Sequence, residues 1–363
     1  MKKLAVLYGG ITTEHEVSII TAVQLMENVD LKKYQLIPIY IDKSGQWWTG
    51  DKLLDISYYK AQDLFNPKDL KSFHLHPEKN SNKVDVALLC FHGAYGESGN
   101  IQGLLELASI PYQGPEVLGS STAFDKIVTR QILAAENIDQ TKYVWFNDSD
   151  WKEDENKILE KIKKIGMPVF IKPSRSGSSI GIERIAQQET LKKAIEQVLL
   201  FDSRVLVEAE VEDCIEVNVS VLGGEKIQAS ITEQPIKSDE FLSFSDKYEK
   251  GGGKKKGMAS TSRRIPAPIS SELAHKTQEL AKKIFKIFDC SGVVRIDFFV
   301  NPSEETIYVT ELNTIPGSMS YYLWEATDLD YPELVNRLVE IAEERFEKKE
   351  GLIQSFKSNI LNK

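Results

Sequence analysis

The sequence predicts a chain of mixed α/β and α+β class in three domains, the first built on a parallel sheet, and three observations carry that expectation. Short β-rich runs alternate with helical stretches through the first third, the pattern of a parallel sheet with crossover helices. Two passages, the turn-rich Pro111 to Ser121 and the acidic turn Glu210 to Asp213, interrupt the pattern and mark boundaries. The 363 residues, 41% of them apolar and 27% charged, exceed one ordinary domain and supply material for more than one core.

In the first domain, residues 1–115, strands are expected at 4–8, 36–41 and 84–91, with helices near 16–29 and 101–109. The second, 116–212, enters a helix from Thr122 to Glu136 and continues through a strand at 169–172. A Ser/Gly-rich stretch at 174–181, a helix near 189–200 and a strand at 205–208 complete it. In the third, 213–363, antiparallel strands at 216–222 and 226–231 precede a long polar connection. A helix near 271–288, strands at 293–300 and 307–311, and a helix near 332–348 follow. The GGGKKKG run at 251–257 reads as a solvated, mobile loop.

Charge and composition exclude some classes of partner. With 45 Lys and Arg against 54 Asp and Glu, the net charge of -9 opposes binding to nucleic acid or anionic membranes, so a small-molecule partner is expected. Between Met1 and Gly10 only Leu4–Tyr8 is a continuous apolar run, too short for a signal-peptide core or a membrane span, and the cytoplasm is the expected location. Cys90, Cys214 and Cys290 are far apart and lack metal-ligand spacing, which reads as reduced core residues.

Three motifs carry chemistry. Tyr8, Gly9 and Gly10 lead to Glu14, His15, Glu16, Val17 and Ser18 at the mouth of a helix, where glycines let backbone approach a ligand. A tight strand-to-helix turn with surface acids would look the same. Next, Ile171 and Lys172 end a β-run that flows into Pro173, Ser174, Arg175, Ser176, Gly177, Ser178, Ser179, Ile180 and Gly181. Small residues there let N–H groups and hydroxyls surround phosphate oxygens while the lysine supplies countercharge; a polar hairpin is the alternative. The third is Val293–Phe299 with Tyr308–Asn313. Strand alternation puts Arg295 and Asp297 on one face and Glu311 and Asn313 on one face, while Val294, Ile296, Phe298 and Leu312 fill the other. Carboxylates with an amide are the hard oxygen donors that Mg²⁺ accepts when it also holds nucleotide phosphates. A solvent-facing sheet laced with ion pairs is the competing reading.

Taken together, GG-x3-E-x-EVS, K-P-S-R-x-GSS-x-G and RIDFFV...ELNT-x-PG, with HG-x2-GE-x-G-x-IQG at 92–103, YQG at 112–114 and DK at 125–126, form a set. In this order the set resembles the D-alanine:D-alanine ligases of the ATP-grasp superfamily, over Leu4 to about residue 345. The resemblance implies a three-domain ATP-grasp fold with an N-terminal pre-ATP-grasp domain. It further implies ATP-dependent joining of two D-alanines through an acyl phosphate, with Mg²⁺ (two ions, or Mn²⁺ in their place) as cofactor, and a homodimer. Related ligases that take D-serine, D-lactate or another second substrate are the alternative.

The same resemblance assigns roles by position. Lys126 and Lys172 match lysines that hold ATP phosphates, and Glu208 and Glu216 match acids that read adenine and ribose, although their spacing is one residue longer here. Asp297, Glu311 and Asn313 match the metal ligands, Arg295 the residue that stabilises the tetrahedral centre, and Gly317 a nearby N–H donor. Glu14, Ser178 and Tyr248 match a triad that orients the first substrate. His92 lies near that triad, Lys247, Ser318 and Tyr322 lie where the second substrate's carboxylate is held, and residues 236–264 match a substrate lid. Two residues depart from the pattern: Ser98 replaces an acid after Gly-Glu, and Tyr322 stands where a small hydroxyl residue is expected.

Overall fold

A computed structural model of the chain describes residues 1–76, 78, 84–236, 263–358 and 360–362. Lys247, Tyr248, the GGGKKKG run and nearly all of the expected lid lie outside the described residues.

Three of the first five strands are parallel: β1 (Lys2–Gly9) lies between β2 (Tyr34–Ile41) and β5 (Val86–Leu89). Two short antiparallel strands that the sequence reading did not expect, β3 (Trp47–Thr49) and β4 (Lys71–Ser72), extend the sheet beyond β2 in the order β4-β3-β2-β1-β5. Leu4 to Tyr8 of β1 are fully buried because helices cover both faces of a central parallel strand. The helices of this part are α1 (His15–Met26), α2 (Ile56–Lys60) and α3 (Asn100–Leu107).

Where the sequence suggested one helix over 122–136, there are two: α4 (Val117–Phe124) and α5 (Lys126–Ala135). The break falls at Asp125, whose carboxylate caps α5 by accepting from the N–H groups of Ile127 at 3.0 Å and Val128 at 3.2 Å. An aspartate ahead of Lys-Ile-Val is a strong N-cap, and satisfying those two donors restarts the helix at Lys126.

A second sheet, antiparallel in the order β6-β9-β7-β8, follows: β6 (Tyr143–Asn147), β7 (Val169–Pro173), β8 (Glu183–Ile185) and β9 (Arg204–Ala209). After β6 come α6 (Asp148–Glu153) and α7 (Glu155–Ile165), and α8 (Leu191–Val198) precedes β9. Ile158, Ile162, Leu191 and Ile195 meet Val169, Ile171 and Val205 in a core of its own.

The third sheet begins with β10 (Ile215–Gly223) and β11 (Ile227–Ala229). A two-stranded ribbon, β12 (Gln234–Pro235) with β13 (Arg263–Arg264), flanks residues 237–262. Then α9 (Ser271–Ile287) packs under β14 (Gly292–Asn301) and β15 (Thr306–Asn313), which complete the order β11-β10-β14-β15. The register pairs Arg295 with Asn313 and Asp297 with Glu311, and on the other side Ser220 with Arg295 and Asn218 with Asp297. One face of three adjacent strands is therefore polar. The opposite face, with Val217, Val219, Val294, Ile296, Phe298 and Leu312, is buried with α9.

Three helices cross between these bodies. Ala123 and Leu133 of α4 and α5 join the core of the third sheet, which fixes α5 against β15. After α10 (Tyr321–Glu325), Leu334, Val335 and Leu338 of α11 (Tyr331–Glu350) pack into the core of the first sheet. Cys90 and Cys290 are buried as the sequence suggested, but Cys214 is only half-buried, since it sits in the acidic turn that opens β10.

Candidate active site

Glu14 precedes α1 and is buried at 4% exposure, yet it contacts a loop 164 residues away, where the Ser178 hydroxyl donates to its carboxylate. Two glycines make room for it. A Cβ on Gly177 would lie 2.6 Å from Glu14 Oε2, and one on Gly93 would lie 2.8 Å away, so a side chain at either position would displace the carboxylate, and Gly93 also has a φ of 81° that favours glycine. The diglycine loop before it is held from both ends: Gly9 N–H donates to Ser18 Oγ at 2.7 Å, and Ser18 Oγ donates to the Cys90 carbonyl at 2.7 Å. His15 bridges the Gly10 carbonyl and the Tyr40 hydroxyl through Nδ1 and Nε2, at 2.7 and 2.8 Å. Burial lowers its pKa, and a neutral ring that donates from Nδ1 to the carbonyl and accepts from Tyr40 fits both contacts.

The Ser/Gly stretch is a loop with Ser178 and Ser179 both at positive φ, 51° and 62°. A turn of small residues such as this leaves room for an anion to approach the backbone. Lys126 begins α5 beside the loop because its N–H donates to the Ser174 carbonyl at 3.0 Å and Ser174 Oγ donates to Asp125 at 2.6 Å. Its ammonium donates to the Ser176 carbonyl at 2.6 Å and lies 3.7 Å from Glu311. Lys172 ends β7 with its ammonium 2.5 Å from Glu208. Glu208 is also paired with Arg130 and accepts from Thr141 Oγ1 at 3.1 Å. Burial alone would raise this carboxyl, but Arg130 and then Lys172 outweigh it and hold it down at about 2. Glu208 is thus an ionised anchor for Lys172. Glu216 is half-buried on β10, opposite Phe299.

On the polar face, Arg295 grips Asp297 through two parallel bonds of 2.7 Å, and Asn313 Nδ2 donates to Asp297 at 3.0 Å. Burial works against the Arg295 cation, but Asp297 more than offsets it and raises the pKa further. Among the described residues no group of three His, Cys, Asp or Glu side chains could hold a metal. Asp297 and Glu311 on paired positions, with the Asn313 amide beside them, still offer oxygens to a hard divalent cation, so the residues fit one. The Gly317 segment reaches α1, where Ser318 N–H donates to Thr21 Oγ1 at 3.2 Å and Ser318 Oγ to Gln24 at 2.7 Å. His92 Nε2 lies 2.8 Å from that same Thr21 hydroxyl, and burial followed by the Arg295 charge lowers the imidazole to about 3. Tyr322 donates its hydroxyl to Glu233 at 3.0 Å, while the Arg263 guanidinium lies 3.6 Å from its ring centroid. Burial and then Glu233 push the phenol up to about 12.

The structure therefore brings Glu14 to Ser178, Lys126 to Glu311, Lys172 to Glu208, and Arg295 to Asp297 and Asn313, with His92 and Ser318 joined through Thr21. Four participants escaped the sequence reading. Arg130 stands on the face of α5 that also carries Ile127 and Leu133, a misplaced charge that helical spacing alone could have flagged. Glu97, in the quoted Gly-Glu motif, is buried, accepts from Gly93 N–H at 2.8 Å and faces Glu14; burial and that neighbour raise it to about 8. Glu233 and Arg263, ion-paired at 3.0 Å across the ribbon, show no local signal because each is one polar residue among several.

A small-residue loop, two lysines, an arginine and paired oxygen ligands can position a nucleotide phosphate against a second anionic group without a Ser or Cys nucleophile. Comparisons with known proteins agree. The family described as D-ala D-ala ligase N-terminus matches residues 3–115, and that described as D-ala D-ala ligase C-terminus matches residues 132–340. A D-alanine–D-alanine ligase of Thermosipho melanesiensis is 37% identical over 99% of this chain and 98% of its own. Among solved structures, the D-alanine-D-alanine ligase from Coxiella burnetii aligns with a TM-score of 0.82 at 26% identity, covering 97% of each chain. The VanG D-Ala:D-Ser ligase from Enterococcus faecalis aligns at 0.79 with 30% identity over 94% of this chain and 99% of that one.

Proposed function

The chain belongs to the D-alanine–D-alanine ligase family, and from that premise we propose that it joins two D-alanines into D-alanyl-D-alanine for the peptidoglycan precursor, converting ATP to ADP and phosphate. A carboxylate oxygen of the first D-alanine attacks the γ-phosphorus and ADP departs. The neutral amine of the second D-alanine then attacks the acyl carbon, phosphate leaves with the bonding pair, and the amine loses its proton. Lys126 and Lys172 hold the phosphates over the Ser178–Ser179 turn. Glu216 takes the ribose side, and Glu208 serves the adenine side chiefly by fixing Lys172. Asp297, Glu311 and Asn313 would hold the divalent ions, two Mg²⁺ or Mn²⁺, which supply charge neutralisation on the transferred phosphoryl group.

Around the amino acids, Glu14 receives the first ammonium and is oriented by Ser178, with Tyr248 completing the set. Arg295 and the Gly317 N–H stabilise the oxyanion of the tetrahedral centre. His92 lies beside the Glu14 set, and Lys247, Ser318 and Tyr322 surround the second substrate. Its carboxylate faces the Arg295 side of the polar sheet rather than the phenol hydroxyl, which is committed to Glu233. Among the described residues no helix is long and apolar enough to cross a membrane, and we place the enzyme in the cytoplasm as a homodimer.

The observation that carries this reading is the polar face on which Arg295, Asp297, Asn313 and Glu311 meet Lys126. Phosphate release from the purified chain should require ATP, Mg²⁺ and D-alanine together, with L-alanine inert and the dipeptide seen by mass spectrometry. Turnover driven only by another acid would overturn the substrate assignment. A D-serine acceptor is the second reading, favoured by the likeness to the D-Ala:D-Ser ligase. Competition between D-alanine and D-serine as acceptors decides between them.

A further inference from the structure

Helix α5 carries two basic side chains one turn apart, and each touches both of the sheets that flank the nucleotide site. Lys126 reaches the Ser176 carbonyl after β7 and Glu311 on β15. One turn on, Arg130 is 1% exposed; its guanidinium donates to the Val309 carbonyl, to the Thr310 carbonyl at 3.2 Å, and to Glu208 of β9. Glu208 in turn holds Lys172 at 2.5 Å. Val309 and Thr310 directly precede Glu311. A single buried guanidinium thus ties the lysine of one sheet to the carboxylate strand of the other, and Gln140, which donates to the Arg130 carbonyl at 2.9 Å, steadies its backbone.

We propose that Arg130 is the positioning residue of the nucleotide site, setting the separation between Lys172 and Glu311 through Glu208 and the two carbonyls of β15. This rests on the reading of that site as nucleotide-binding. The planar fork is what the arrangement needs, because its spread donors serve three acceptors on two strands at once, and a lysine ammonium at the end of a flexible stem does not. Arg130 touches no substrate in this scheme. It acts by removing the freedom of Lys172 to swing away from β15.

The test is titration calorimetry of Mg²⁺-ADP into the wild type, Arg130→Lys, Lys172→Ala and the double variant, with circular dichroism to confirm folding. Arg130→Lys keeps the buried charge and is the variant most apt to fold; a Thr141→Ala variant, which trims the same network elsewhere on Glu208, is the second probe. The expected result is about 10-fold or greater weakening in folded Arg130→Lys, the scale of losing a supporting residue behind a binding site. In the Lys172→Ala background the Arg130→Lys change should cost nothing further, so that the double variant binds as Lys172→Ala alone does. Thr141→Ala should weaken binding in the same sense and less. Wild-type affinity in folded Arg130→Lys overturns the proposal, and so does full additivity with Lys172→Ala, because a residue acting through Lys172 has nothing left to act on once it is gone. Should Arg130→Lys not fold, an unchanged affinity in Thr141→Ala overturns it. Wild type that binds Mg²⁺-ADP but makes no dipeptide from D-alanine refutes the substrate assignment instead and leaves the proposal standing, since the readout needs no turnover.

Discussion

Replacing Glu208 by glutamine leaves Arg130 and Lys172 facing a neutral amide in a site with almost no access to water. The folded protein holds this carboxyl at about 2 against an ordinary 4.5. That depression corresponds to about 3 kcal/mol favouring the folded state, within the range of roughly 3–5 kcal/mol for removing one partner of a buried ion pair. The sign follows from the direction. A depressed acid contributes its full stability above pH 4.5, and the contribution fades as pH falls toward 2, where both states bind the proton. Guanidinium unfolding of wild type and Glu208→Gln, followed from pH 7 downward, should show a gap of about 3 kcal/mol at neutrality that closes in acid. A variant as stable as wild type at pH 7, or a gap that does not shrink with acid, would refute the claim that Glu208 is ionised and anchors both cations.

Other outcomes follow from the same geometry. Glu311→Gln should abolish phosphate release while keeping its fold and most of its Mg²⁺-ADP affinity, because that carboxylate matters most as charge moves; near-normal turnover in a folded variant removes it from the metal set. Tyr322→Ser should fold with a loss of about 1–2 kcal/mol from its hydrogen bond to Glu233 and its stacking on Arg263, and should change the Michaelis constant for the second D-alanine more than kcat. Loss of coupling with intact acyl-phosphate formation would show instead that the phenol is essential. Glu97→Gln should gain stability relative to wild type as pH rises from 4.5 through 8, since a raised acid disfavours folding once the unfolded chain ionises; a pH-independent difference contradicts a protonated Glu97. Tyr248→Phe should gain D-alanyl-D-lactate synthesis at lower pH, where the competing amine is protonated, and an unchanged product ratio in a competition assay would separate Tyr248 from acceptor choice.

How much was legible depended on whether a residue's role is written in its own neighbourhood. Strand alternation over Val293–Phe299 and Tyr308–Asn313 settles which side chains face which way, so the polar face followed from the sequence and the register completes it. The parallel strands β1, β2 and β5 are apolar enough to stand out, while β3 and β4, with two to three residues each and half-buried or exposed, lack a pattern to detect. A capping aspartate divided one expected helix into two because Asp-Lys in mid-pattern reads as surface charge unless the cap is considered.

Arg130, Glu97, Glu233 and Arg263 belong to the opposite case. Arg130 meets Glu208 at a separation of 78 residues and Val309 at 179, Arg263 meets Glu233 at 30, and Glu97 takes a local bond from Gly93 but owes its raised pKa to burial and to the distant Glu14, so no short window along the chain contains both ends. Their burial gives them weight: an ion pair between exposed side chains is worth little, but one sealed between two sheets can be lost only with the arrangement of both. Positions that touch substrate are therefore recognisable as short motifs, because the chemistry dictates residue type and spacing. Positions that hold those motifs in register are dictated by the shape of the gap between sheets: helical spacing can flag Arg130 as a charge on an apolar face, but that its three acceptors lie on two different strands is seen only in the structure.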